Sequence, residues 1–75
     1  MTIDAFIAEL EAAIDRGAAA PMQAHTRFRD QPWWDSMAAL TVLAVYDGNF
    51  NRQLPAEQLA ACATLEDVWR LGTQA

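Results

Sequence analysis

A chain of 75 residues makes a single domain, 1–75, whose core is small enough that stability is marginal, and it leaves no room for a second. Its 53% hydrophobic content, few aromatics and many alanines favour packed helices over a disordered tail or a β-sandwich. A net charge of -5 with no lysine excludes the phosphate-neutralising surface that nucleic acid or an anionic membrane would need, and favours partners with basic surfaces.

Met1-Thr2-Ile3-Asp4 has neither the basic nor the continuous apolar region of a signal peptide. No apolar stretch approaches the roughly 18 residues of a membrane span, so a soluble cytoplasmic chain is expected. Ile3, Phe6, Ile7, Leu10 and Ile14 then recur on one helical face. Thr2 is placed to cap this first helix, and Gly17 supplies a stop. Asp4 in the first turn and Arg16 in the last suit the helix dipole. Asp4, Glu9, Glu11 and Asp15 read as its solvated face.

From Ala18 to Asp35 the periodicity fails, and Pro21 and Pro32 mark a connection longer than a helix pair needs. A second helix is predicted from about Ser36 to Phe50. Leu40, Leu43, Tyr46 and Phe50 lie within roughly 60° of one direction on a wheel of ~100° per residue and define its inner face. Met37, Ala38, Thr41, Val45 and Gly48 then point outward, with Asp47 to one side. Pro55 suits the start of a short helix over Ala56–Ala61, with Leu54 and Leu59 packing inward. Thr64-Leu65-Glu66-Asp67 has capping-box spacing and opens a last helix carrying Leu65, Val68, Trp69 and Leu71. The order is long helix, long loop, helix, short helix, helix: an all-α, four-helix bundle.

Little in this sequence points to catalysis. The one histidine, His25, lies in the long loop, and the one cysteine, Cys62, in an apolar segment where it reads as a small core hydrophobe. Nothing supplies the third group that would orient a Cys-His pair, so no enzymatic activity is expected. No disulfide can form within the chain. One His, one Cys and scattered carboxylates have no zinc or calcium spacing, so no metal site is expected.

Asp35-Ser36-Met37 carries the most chemistry. Asp or Ser before an apolar run is an ordinary helix cap. A serine that ends a long loop and begins a helix is also accessible, and the N–H groups and dipole of that helix favour a nearby anion such as an attached phosphodiester. Asp35 is placed to help hold magnesium during phosphate transfer.

On Asp35, Ser36 and Met37, on Phe50 with Leu54, Pro55 and Glu57, and on the Thr64–Asp67 cap, the chain resembles the acyl carrier protein family. The family's modification motif is G-x-D-S-L, and its second helix is followed by F-x-x-x-[IL]-P-x-E. The resemblance implies a non-catalytic bundle of acyl-carrier type with 4'-phosphopantetheine, derived from coenzyme A, attached to Ser36 and Asp35 supporting the modification. It implies a phosphopantetheinyl transferase and acyl-processing enzymes such as a ligase or a ketosynthase as partners of a monomeric carrier, in a fatty-acid or polyketide-like pathway. Met37 in place of leucine is shared with D-alanyl carriers, which keeps an aminoacyl cargo open. Trp33 replaces the motif glycine, and Trp33-Trp34 either roofs the core or offers a surface to the arm or a partner. The nearly uncharged outer face, Met37, Ala38, Thr41 and Val45 with Trp33 and Trp34 beside it, suggests docking by shape and apolar contact. A bare interaction module in which Ser36 only caps its helix is the rival reading.

Overall fold

The computed structural model describes residues 1–14 and 21–73, and every regular element among them is helical. Helix α1 spans Ile3–Ala13, a 3-10 turn Phe28–Asp30, α2 Ser36–Phe50, α3 Ala56–Ala61 and α4 Leu65–Thr73. The architecture is thus a small four-helix bundle. None of these helices is long and apolar enough to cross a membrane.

Local chemistry sets the helix ends. Thr2 Oγ1 accepts the Ala5 N–H at 3.2 Å and caps α1. Helix α1 ends at Ala13, where Ile14 turns extended and its N–H donates to the Leu10 carbonyl, short of the expected last turn at Arg16 and stop at Gly17; those two residues and Asp15 lie outside the described residues. Helix α2 runs through Gly48 and ends where Asn51 turns left-handed at φ 53°, its N–H donating to the Asp47 carbonyl. At the start of α4 the capping box closes both ways. Thr64 Oγ1 accepts the Asp67 N–H at 3.3 Å, and Asp67 Oδ2 accepts the N–H groups of Ala63 and Thr64 at 2.9 and 3.1 Å.

The core draws Phe6, Ile7, Leu10 and Ile14 from α1 and its end, Val42 and Tyr46 from α2, and Leu59, Cys62, Leu65 and Val68 from the last two helices. The predicted first-helix stripe and the inward Leu54 and Leu59 are therefore in place. The long connection adds Met22 and Phe28, which sequence periodicity did not pick out. It is pinned at three points. Met22 N–H donates to Glu11 Oε2 at 2.9 Å, so Glu11 ties the connection down where a solvated acid was expected. The Ala24 and Thr26 carbonyls accept the N–H groups of Glu66 and Leu65, two first-turn donors of α4 that have no partner within their own helix. Arg29 donates to the carbonyls of Leu59, at 3.2 Å, and of Cys62, at the end of α3.

Helix α2 is rotated relative to its expected orientation. Ala38, expected outside, is 4% exposed, and Leu40, expected inside, is 62% exposed. Ala38, Val42 and Tyr46 form the buried row. The reason is in the helix itself, SMAALTVLAVYDGNF, which is apolar nearly all round and offers no polar face to orient it. Its azimuth is chosen by fit, with small Ala38 lying inward and Tyr46 packing at a tilt on Phe50, which in turn meets Phe6.

Candidate functional site

The start of α2 assigns separate roles to Asp35 and Ser36. Asp35 is in extended conformation, its Oδ1 accepts the Ala38 N–H at 2.8 Å, and its carbonyl accepts the Ala39 N–H at 3.0 Å. Asp35 is therefore the cap, and Ser36 is the first helical residue. This corrects the reading of Ser36 as the cap. The Ser36 side chain is exposed, and its hydroxyl makes no hydrogen bond to any described residue. The first N–H groups of α2 lack intrahelical acceptors, so the positive end of the helix lies beside a free hydroxyl.

Around Ser36 the exposed face of α2 carries Met37, Leu40, Ala44 and Asp47. At about 100° per residue these lie with Ser36 in a sector of about 100°. Met37 and Leu40 are 70% and 62% exposed, and they are the large apolar side chains that α2 presents to solvent. Of the expected docking residues, Met37 is exposed, Thr41, Val45, Trp33 and Trp34 are half-buried, and Ala38 is buried. Leu40 and Ala44 are not among the expected docking residues; an α2 pattern without a continuous polar face does not locate them.

Trp34 packs on Phe28, with ring centroids 4.7 Å apart, and Trp33 meets Trp34 edge-on at 6.1 Å. Both rings rest against the core while keeping one side in solvent. Trp33 borders a cleft of about 250 Å³ whose walls include Ile14, Asp35, Met37 and Thr41. A second cleft, of about 490 Å³, lies between Leu43, Ala44 and Asp47 of α2 and the Gln53-Leu54-Pro55 segment.

Cys62 is 5% exposed, and its thiol donates to the Gln58 carbonyl at 3.3 Å. Burial first, and the Asp67 carboxylate second, push that thiol up against the opposing pull of Arg29, which disfavours the thiolate a nucleophile would need. His25 is exposed in the connection. No group of three or more His, Cys, Asp or Glu side chains suited to a metal gathers among the described residues. Among the described residues, the start of α2 thus joins an exposed, unengaged serine hydroxyl to an apolar exposed stripe. No family model, curated protein or solved structure matches the chain.

Proposed function

We propose that this protein is a carrier of acyl-carrier type, bearing 4'-phosphopantetheine on Ser36 and presenting thioester-linked intermediates to separate enzymes. The observation that carries the reading is the division of labour at the start of α2. Because Asp35 holds the cap, the Ser36 hydroxyl is exposed and uncommitted, and the bare interaction module loses its structural use for that serine.

The residues present fit such a group. The Ser36 hydroxyl can form the phosphodiester, displacing adenosine bisphosphate from coenzyme A and losing its proton to the modifying enzyme. The first N–H groups of α2 favour the phosphate charge that remains. One Asp35 oxygen holds the cap and leaves the other to reach a magnesium ion of the transferase. Once attached, the arm supplies a thiol for the thioester. Met37, Leu40 and Ala44 then form the apolar stripe that partner enzymes meet, and Asp47 supplies its one charge. A specialised fatty-acid, polyketide-like or aminoacyl pathway fits this stripe better than enzymes that read an acidic helix.

Incubation with coenzyme A and a broad-specificity phosphopantetheinyl transferase tests the proposal by mass spectrometry. A gain of one phosphopantetheine is expected, and Ser36→Ala gains nothing. Since Ser36 is not the cap, that variant keeps its helical circular dichroism and stays within about 0.5 kcal/mol of the parent. An unmodified parent, under conditions that load a control carrier, rejects the proposal.

A further inference from the structure

We propose that the Met37 thioether is a reversible oxidation site, through which a peroxide turns the docking face beside Ser36 from apolar to polar. The functional consequence rests on the carrier reading above.

Burial sorts the sulfur chemistry of this chain. Met22 is 6% exposed within the core, and Cys62 is 5% exposed with its thiol donating to the Gln58 carbonyl. The thiol, ordinarily the first group an oxidant attacks, is therefore shielded, and burial also disfavours its thiolate. Met37 is 70% exposed and directly follows Ser36 in the first turn of α2. Met1, 47% exposed, lies by Trp69 of α4 and is no part of the α2 stripe.

In the reaction a sulfur lone pair attacks one peroxide oxygen, the O–O bond breaks and an S–O bond forms, while the other oxygen leaves as water. Sulfur is oxidised by two electrons and the peroxide is reduced by two. The sulfoxide oxygen is a strong acceptor set among Leu40 and Ala44. An enzyme that docks there must strip water from it or leave it unpaired. The helix does not need the thioether: its polar tie at residue 37 is the backbone carbonyl, which accepts the Thr41 hydroxyl at 3.0 Å. Oxidation therefore changes recognition and leaves the fold in place.

The test treats the full chain with dilute hydrogen peroxide, removes the peroxide and locates the added oxygen by peptide mass mapping. Loading by the transferase and coenzyme A is then measured. Met37 should oxidise ahead of Met22 and Cys62, and helical circular dichroism should persist. Loading should fall about tenfold in kcat/KM, as expected for one poorly paired polar group at an interface. Methionine sulfoxide reductase should restore it. Met37→Leu, whatever its own rate, should load equally before and after peroxide even though its Met1 is oxidised. Met22 oxidising as fast as Met37, loading unchanged after full conversion of Met37, or an equal loss in Met37→Leu overturns the proposal and leaves the carrier reading standing. So does a loss accompanied by unfolding or not reversed by the reductase. Failure of the untreated chain to load overturns both.

Discussion

Asp67 makes part of the stability of this small fold depend on pH. Its carboxylate takes the Ala63 N–H, then that of Thr64, and these bonds hold it below the usual carboxylate range despite an opposing desolvation effect. A carboxyl group whose folded value is depressed contributes stability that is complete above its unfolded value. That contribution is lost as pH falls through the folded value. Thermal melts should therefore show a loss between ordinary carboxylate titration and the lower folded value of Asp67, and Asp67→Ala should flatten that stretch of the profile. The capping-box spacing Thr64 to Asp67 was legible in the sequence because it is a local pattern. The split between Asp35 as cap and Ser36 as free hydroxyl was not. Either residue type caps well, and only the backbone angles at residue 35 decide between them.

At the scale of the element, α2 separates what periodicity can supply from what packing supplies. Its span, Ser36–Phe50, follows from the preceding loop, the Asp35 cap and the turn at Asn51. Its rotation does not follow, because a helix without a polar face gives the wheel nothing to align. The two readings of the helix make opposite predictions. In the observed orientation Ala38→Leu forces bulk into a filled layer and costs roughly 1–3 kcal/mol, while Leu40→Ala stays within about 0.5 kcal/mol. Chemical denaturation of the two variants checks this, and a larger loss from Leu40→Ala would restore the original face. The same rotation moves the exposed stripe from Ala38 and Val45 to Leu40 and Ala44. Partner-binding variants should accordingly be made at Leu40.

Across the molecule, residues distant in sequence complete one another. Arg29 closes the end of α3 from 30 residues away, and Trp69 Nε1 donates to the Met1 carbonyl at 3.2 Å, joining the two ends of the described chain. Gly72 is the sharpest case. A Cβ there would lie 2.6 Å from Phe50 Cγ, and that ring is held by Phe6 and Tyr46. Glycine to alanine inside a helix ordinarily gains about 1 kcal/mol. Overpacking a filled site costs roughly 1–3 kcal/mol, so Gly72→Ala should lower stability here, with a drop of several degrees in Tm.

By itself the sequence determined the helical class, the order of the helices, the apolar stripe of α1 and the capping box that opens α4. These are properties of neighbouring residues, written in 3.6-residue periodicity, caps and breakers. Tertiary structure alone decided which side of α2 faces water, how Met22 and Phe28 bring the long connection into the core, and why residue 72 has no side chain. Each of these depends on shape complementarity between segments far apart in the chain, which periodicity does not encode.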